Sequence, residues 1–436
     1  MAIVSTFSPL STYSSSSLWK GSEVSPVPKL SNPVFFLPQS SPVHHQFLTS
    51  TSSSPLYNSR TNKTSKRRTG TAIAMTIQME EAATANRSSA PKPELVEIPT
   101  VVEITIPPES LVGFEADYER VSKTWAADLP TTTDDAKIEQ FVTSAHALVR
   151  RWLPEELVYR LEHLLYDPAE PPVLVVRGFP IDKDLPPTGK DVHLKKLGKH
   201  MSETWLVGVS RIVGQVFTFG FVRGQRPGMG LLIRELYPFP EKANLVTSEG
   251  SKELLDFHLD FGQVPPEKFP NILAFMGIRG DPNHEGHTLV CNNRKLYKLL
   301  DPADIEILRK EKLAWNVPAG QFSQYVIKGP ESNPQISLFE ENLSGMSGFD
   351  SMVLGSPEAL AAYRRVKELA STLVESVYLG GGDMFFLNQK KANHGRGKFF
   401  PKFDGNDRWL QRTYINSGGF WEAGYAEWPS RTIAIV

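Results

Sequence analysis

The sequence predicts a mixed α/β fold that is mainly β and carries helices at its periphery. Short apolar runs of the kind found in buried strands recur at 172–178, 271–278 and 384–387. In residues 133–166, by contrast, apolar residues recur at helical spacing, and this segment precedes most of the predicted strands in the sequence. A further helix predicted at 356–377 lies between strand-like segments, which indicates an insertion into a jelly roll.

The first 74 residues differ in composition from the rest of the 436-residue chain. Glu23 is their only acidic residue, Ser and Thr are dense, and a basic cluster ends at Arg68. This composition is typical of an organellar transit peptide, and we expect import into a plastid, with the mitochondrion as the alternative. A disordered tail without a targeting role is the competing interpretation, and a nuclear or nucleic-acid signal has little support because aromatic residues are absent nearby.

Overall charge gives no support for binding to nucleic acid or to an anionic membrane. The 47 Lys and Arg residues nearly balance the 48 Asp and Glu residues, so no global charge favours nucleic acid or an anionic membrane. No apolar run approaches the roughly 20 residues that span a bilayer. Cys291 is the single cysteine, so an intrachain disulfide is excluded. We interpret this cysteine as a small buried hydrophobic residue. We therefore expect a small-molecule partner, with no nucleic acid and no membrane, and the sequence does not indicate an oligomeric state.

Residues 75–133 are predicted to be a linker and entry segment, because prolines punctuate them, and 101–106 has the character of an edge strand. The catalytic domain is predicted at 134–436. It begins with two helices, the second opened by Pro154, and continues with a helix at 202–213 and a strand at 214–221.

The second half of this domain is predicted to alternate strands and helices. A strand at 288–291 precedes a helix at 301–311, and hairpin strands are expected at 318–327 and 335–339. A polar, glycine-rich insertion at 342–355 follows, and Ser356 and Pro357 open the inserted helix.

The segment 257–261, Phe-His-Leu-Asp-Phe, is the best candidate for a metal site. If it is an extended strand, His258 and Asp260 point to the same face. His394 follows the apolar run 384–387 and is the best candidate for a third ligand. Two His and one carboxylate form the facial triad of non-haem Fe(II) oxygenases, although this triplet alone also occurs by chance.

Two arginines follow His394 on a predicted strand or strand edge. Arg408 and Arg412 lie four residues apart in the stretch Asp-Arg-Trp-Leu-Gln-Arg. Arginine is suited to bidentate binding of a carboxylate. Surface salt bridges are the alternative interpretation of both residues.

These stretches resemble the Fe(II)/2-oxoglutarate-dependent oxygenases of the clavaminate synthase-like superfamily, which is related to the TauD/TfdA enzymes. The nearest branch is that of clavaminate synthase and the arginine and asparagine hydroxylases. The resemblance rests on 250–260, on Asn-His-Gly-Arg at 393–396 and on 404–412, and it covers about 145–422. It implies a double-stranded β-helix, or jelly roll, with flanking helices and a lid insertion.

The resemblance also implies cofactors and residue roles. Fe(II) would bind His258, Asp260 and His394, with 2-oxoglutarate and O2 as cosubstrates. Arg408 matches the arginine that binds the distal carboxylate of 2-oxoglutarate, and Thr288 is a weaker candidate at the same end. The resemblance also implies that Arg412 binds the carboxylate of the substrate. Asp350 of the polar insertion would face the amine or guanidinium of that substrate. An alternative role for Asp350 is to cap a turn.

The resemblance predicts oxidation, most directly hydroxylation, of a free amino acid or a derivative. Desaturation or ring closure of a specialised metabolite uses the same cofactors and stays open. A non-catalytic relative that senses a ligand is the alternative from another class. The presence of all three candidate ligands and both arginines favours an enzyme.

Overall fold

The computed structural model describes residues 98–435 except 127, 130, 190–199, 222–229, 248–249, 318–319 and 340–352. The chain divides into two units, Met1–Lys92 and Pro93–Val436, and every described residue belongs to the second. The predicted transit peptide, most of the polar insertion and Asp350 lie outside the described residues.

The strands of the described chain are short, and most have five residues or fewer. They are β1 Val101–Thr105, β2 Val173–Arg177, β3 Gln215–Phe221, β4 Arg234–Leu236, β5 Leu255–His258, β6 Ile272–Arg279, β7 Thr288–Asn292, β8 Lys312–Val317, β9 Gly320–Tyr325, β10 Ile327–Lys328, β11 Gln335–Ile336, β12 Val353–Leu354, β13 Glu375–Val377, β14 Met384–Asn388, β15 Ala392–Arg396, β16 Trp409–Asn416 and β17 Thr432–Ile435.

The α-helices of the described chain are α1 Phe114–Ser122, α2 Asp135–Arg150, α3 Glu155–His163, α4 Met201–Val213, α5 Asn293–Leu299, α6 Pro302–Lys310, α7 Pro357–Thr372 and α8 Gly419–Glu422. Short 3-10 helices occupy Pro108–Leu111 and Pro240–Lys242. Among these helices, none combines the length and hydrophobicity that crossing a bilayer requires.

Two sheets form the centre of the domain. The larger has the order β1-β2-β14-β6-β16-β3-β17, with β4 added to β16. It is antiparallel except for the β1–β2 and β3–β17 pairs. The smaller sheet has the order β13-β7-β15-β5 and is antiparallel throughout. β1 is the first strand of the larger sheet, which confirms the predicted edge strand.

The central strands β2, β14 and β6 of the larger sheet are almost entirely apolar without alternation, and they are buried on both faces. In β14, Met384 and Phe386 face one hydrophobic cluster, while Phe385 and Leu387 face another. Helices α1–α4 supply the first cluster. Val290 and Ala392 of the smaller sheet belong to the second cluster, so the two sheets face each other. Burying one Phe side chain stabilises the fold by roughly 1.5–3 kcal/mol.

The smaller sheet has a third cluster on its other side. Phe257 and Cys291 pack there with residues of α5, α6 and α7. Burial raises the pKa of the Cys291 thiol to about 12, so the cysteine is a protonated, small hydrophobic side chain at neutral pH.

Several elements differ from the sequence prediction. The helix that begins after Ser356 ends at Thr372, and β13 then pairs with β7, so the prediction of a helix to residue 377 was wrong. The Ser356 cap was correct, since its hydroxyl oxygen accepts a hydrogen bond from the Ala359 amide at 3.1 Å. Within 75–133, β1 and α1 contribute to the same unit as the rest of the described chain, and Phe114 of α1 is buried.

Candidate active site

Two histidines lie opposite each other on neighbouring strands of the smaller sheet. His258 is the last residue of β5, and His394 is the central residue of β15, with which it pairs. Their ring centroids are 4.3 Å apart. Gly395 makes this approach possible, because a Cβ atom there would lie 2.6 Å from the Leu255 carbonyl oxygen. The glycine of the His-Gly-Arg stretch is therefore required by close contact of the two strands.

Asp260 lies in a turn that follows β5. The strand ends at His258, so the prediction that both residues project from one strand face was wrong. The buried side chain of Gln389 fixes the turn instead. Its Oε1 accepts a hydrogen bond from the Asp260 amide at 2.7 Å, and its Nε2 donates to the carbonyl oxygens of Asp260 at 3.2 Å and Pro270 at 2.6 Å.

The three predicted ligands come together. Asp260 Oδ1 lies 3.3 Å from His258 Nε2 and 3.8 Å from His394 Nε2. All three side chains are buried, and their ligand atoms lie within 4.8 Å of one another. Atoms on neighbouring corners of an octahedron, about 2.1 Å from a metal ion, lie roughly 3 Å apart. The spacing therefore fits one metal ion with little rearrangement.

The protonation states also fit a metal ion. Burial lowers the pKa of His394 to about 3, so its imidazole is neutral at pH 7. Burial alone would raise the pKa of the Asp260 carboxyl, but Arg412 and His258 together bring this pKa well below its usual range. His258 Nδ1 lies 2.8 Å from the Asp256 carbonyl oxygen, which places the proton on Nδ1 and leaves Nε2 for a metal.

Arg412 contacts the metal-site carboxylate directly. Its side chain projects from β16, and its Nη1 lies 2.9 Å from Asp260 Oδ2, so one carboxylate oxygen faces the histidines and the other faces the arginine. The Tyr414 ring lies 4.8 Å from the Arg412 guanidinium, and its hydroxyl is 3.4 Å from Asp260 Oδ2. Arg412 thus holds the orientation of Asp260, a contact that the sequence prediction did not include. Binding of a substrate carboxylate by Arg412 stays a prediction.

A pocket opens over the triad and has a volume of about 570 Å³ including its opening to solvent. Its described lining combines apolar, polar and basic side chains: Leu236, Tyr237, Gly250, Ser251, Leu255, His258, Asp260, Phe275, Thr288, His394, Gly395, Arg396, Phe399, Arg408 and Arg412. Thr288, Arg408 and Arg412 were predicted from the sequence, and the structure places them around one space with the triad.

The pocket is strongly basic. Arg396, Arg408 and Arg412 line it, whereas Asp260 is the only acidic side chain among the lining residues that the structure describes. Burial, together with the charge of Arg408, lowers the pKa of Arg396 to about 9. Such a site attracts a ligand that carries more than one negative charge.

Arg408 is the clearest candidate for a ligand contact. It immediately precedes β16 and is half-buried, and it makes no hydrogen bond or ion pair with any part of the chain that the structure describes. Burial lowers its pKa to about 10, so the guanidinium is still charged at pH 7. The charges of Asp281 and Tyr378 favour the Arg408 cation without forming a hydrogen bond to it in the described chain, so its N–H donors can bind the carboxylate of a ligand.

Curated proteins with similar sequences are oxygenases. The chain is 26% identical to an L-lysine 3-hydroxylase of Catenulispora acidiphila over 303 residues, which are 67% of this chain and 80% of that protein. It is 28% identical to clavaminate synthase 2 of Streptomyces clavuligerus over 315 residues, 71% of this chain and 93% of that protein. A search against protein-family models found no match.

Solved structures share the fold. An asparagine oxygenase in complex with Fe(II), 3-hydroxyasparagine and succinate matches with a TM-score of 0.62 at 18% identity, covering 77% of this chain and 99% of that one. The non-haem iron oxygenase OrfP, solved with Fe and alpha-ketoglutaric acid, matches with a TM-score of 0.60 at 20% identity, covering 76% of this chain and 100% of that one. The chain is a homologue of the clavaminate synthase-like oxygenases. The predicted fold class and the predicted resemblance are both confirmed.

Besides the Arg412–Asp260 contact, sequence reasoning missed the roles of two other residues at the site, Gln389 and Arg396. Gln389 carries no motif of its own, and its partner Asp260 lies 129 residues away in the chain. Arg396 was quoted within the His-Gly-Arg stretch but received no role. Its position directly after the distal histidine and glycine was the signal that could have marked it.

Proposed function

We propose that the chain is an Fe(II)- and 2-oxoglutarate-dependent dioxygenase that hydroxylates a free amino acid or a close derivative. The observation that carries the proposal is that a buried His-Asp-His cluster lines the same pocket as Arg408, a half-buried arginine that makes no hydrogen bond or ion pair in the described chain. The similar proteins named as a lysine hydroxylase and an asparagine oxygenase support the substrate class.

Each residue of the site would have a distinct role in such a reaction. His258, Asp260 and His394 would hold Fe(II), and the bound iron would supply the activation of O2 that couples 2-oxoglutarate decarboxylation to C–H oxidation. Asp260 presents one oxygen to the metal position, because Arg412 holds the other at 2.9 Å. Arg408 would bind the distal carboxylate of 2-oxoglutarate, with Thr288 as a candidate hydroxyl partner. Apolar lining residues such as Phe275 and Phe399 limit the water around the reacting groups.

Two further residues belong to the proposed substrate contacts. A guanidinium carries five N–H donors, so a contact of Arg412 with Asp260 is compatible with a second contact to a substrate carboxylate. A zwitterionic substrate also needs a partner for its amine, and Asp350 of the polar insertion is the residue that the family resemblance offers for that role.

The decisive experiment is a turnover screen with the purified chain. Fe(II), 2-oxoglutarate and a reductant are supplied, and succinate formation is measured with each of a panel of free amino acids, including ornithine and basic derivatives. Substrate-stimulated succinate and a product heavier by one oxygen atom support hydroxylation. A product lighter by two hydrogens would replace hydroxylation with desaturation or ring closure. Tight metal and 2-oxoglutarate binding without turnover on any panel member would favour a ligand-sensing protein.

We also propose that residues 1–74 direct the chain to a plastid. The support is compositional: a Ser- and Thr-rich segment with a single acidic residue, Glu23, and a basic cluster near its end. A mitochondrial destination is the alternative.

A further inference from the structure

Gln389 occupies a turn between β14 and β15 and is 1% exposed. Its backbone amide donates to the Asn271 carbonyl oxygen at 2.9 Å, which attaches the turn to the start of β6. Its side chain then reaches the turn that carries Asp260. The residue therefore connects the strand before the distal histidine to the turn that presents the carboxylate ligand.

The three side-chain hydrogen bonds of Gln389 engage its amide oxygen and both hydrogens of its amide nitrogen. The oxygen accepts from the Asp260 backbone amide, and the two hydrogens of the nitrogen satisfy the carbonyl oxygens of Asp260 and Pro270. Both backbone groups of Asp260 are thus held by one side chain. Arg412 holds the carboxylate of the same residue, so Asp260 is fixed at its main chain and at its side chain by different partners.

We infer that Gln389 is a positioning residue for the metal site, one that acts through the main chain of Asp260. The inference rests on the proposed function, since it assigns Gln389 a role toward the metal ion that Asp260 would bind. Asp260 is not held by a strand, because β5 ends at His258. Without the amide, the turn would lose the contacts that keep Oδ1 close to both imidazoles. Partners that orient metal ligands typically change metal affinity by about 10- to 100-fold when they are removed.

Only an amide of this length satisfies the arrangement. In Gln389→Glu the shape is kept, but both donors are lost and a carboxylate faces the two carbonyl oxygens. Gln389→Met keeps similar volume without charge and removes all three hydrogen bonds. Asn388 offers a matched control, because it is the adjacent residue, is equally buried, and its amide donates at 3.0 Å to the Leu164 carbonyl oxygen, away from Asp260. Asn388→Asp makes the same chemical change there.

The test measures metal affinity apart from turnover. Co(II) is titrated anaerobically into the metal-free full-length chain and followed by its visible absorption, and thermal unfolding of the metal-free protein is recorded beside it. We expect Gln389→Glu and Gln389→Met to weaken Co(II) binding by at least about 10-fold. Asn388→Asp is expected to lower the unfolding temperature while leaving Co(II) affinity within about twofold of the original chain.

The outcomes separate the inference from the proposed function. If the original chain binds no Co(II) or Fe(II), the proposed function fails. If it binds the metal and both Gln389 variants bind it equally well, the inference fails and Gln389 is a structural residue only. If Gln389→Glu does not fold, the comparison of Gln389→Met with Asn388→Asp decides the question. Equal losses of metal affinity in those two variants would also overturn the inference.

Discussion

Replacing Arg408 by Ala tests the assignment of the cosubstrate site. A bidentate contact with a carboxylate makes two hydrogen bonds to a charged group, each contributing roughly 1.5–3 kcal/mol. Arg408 is half-buried, so we take the lower value for each bond, about 3 kcal/mol in total. Since about 1.4 kcal/mol corresponds to a tenfold change, 2-oxoglutarate binding should weaken by about 150-fold.

The same substitution should not destabilise the ligand-free protein. Arg408 makes no hydrogen bond or ion pair with the part of the chain that the structure describes, and burial lowers its pKa to about 10. Removing Arg408 relieves the cost of its partial desolvation but also loses the favourable charge interactions with Asp281 and Tyr378, so we expect the unfolding temperature to stay nearly unchanged. An arginine with a structural role would behave in the opposite way, because its loss would leave a former partner unsatisfied.

The measurement is the KM for 2-oxoglutarate from succinate formation, with thermal unfolding recorded in parallel. Arg408→Lys keeps the charge but not the forked geometry, so an intermediate loss is expected. Lys398→Ala is the control for general charge: this lysine side chain is 47% exposed and pairs with Glu253 at 2.8 Å. A KM within threefold of the original value in Arg408→Ala would refute the assignment, as would a large fall in stability without a change in KM.

The remaining predictions concern the metal, the substrate and the destination of the chain. His394→Ala should abolish both iron retention and turnover, measured by metal analysis and succinate release; full activity in that variant would remove His394 from the ligand set. Arg412→Ala should raise the substrate KM strongly and leave 2-oxoglutarate affinity nearly unchanged, and the loss of its contact with Asp260 should also weaken metal binding. A collapse of 2-oxoglutarate binding alone would contradict this assignment. A fluorescent protein fused to residues 1–80 should enter plastids; a signal confined to the cytosol would refute import, and a mitochondrial signal would change only the organelle.

The residues that do the chemistry were accessible from sequence because they are carried by short motifs. His258 and Asp260 are two residues apart, and His394 is marked by Gly395 and Arg396 beside it. The structure brings all three together. The physical reason offered for the first pair was nevertheless incomplete, because Asp260 lies beyond the end of the strand. Strand periodicity predicts only where a side chain points while the strand continues.

The contacts that hold these residues in place could not be predicted from the local sequence pattern. The Arg412–Asp260 contact joins positions 152 residues apart, and nothing near either residue identifies the other. The end of α7 at Thr372 was missed for a similar reason. Its apolar pattern continues past that residue, but 375–377 pairs with β7, and this tertiary pairing outweighs the local helical pattern. Phe114 was placed in a linker because prolines dominate the surrounding segment, although its ring packs 4.2 Å from that of Trp205 in the core.

The direct pairing of His258 with His394 makes the metal site sensitive to sheet register. A slip of one residue between β5 and β15 would turn one imidazole to the opposite face of the smaller sheet. A chain with that slip retains most of its backbone hydrogen bonds, yet it cannot offer two imidazoles to one ion. Metal uptake during refolding would therefore report correct alignment of these two strands, and a metal ion present early would select the aligned chains from misaligned ones.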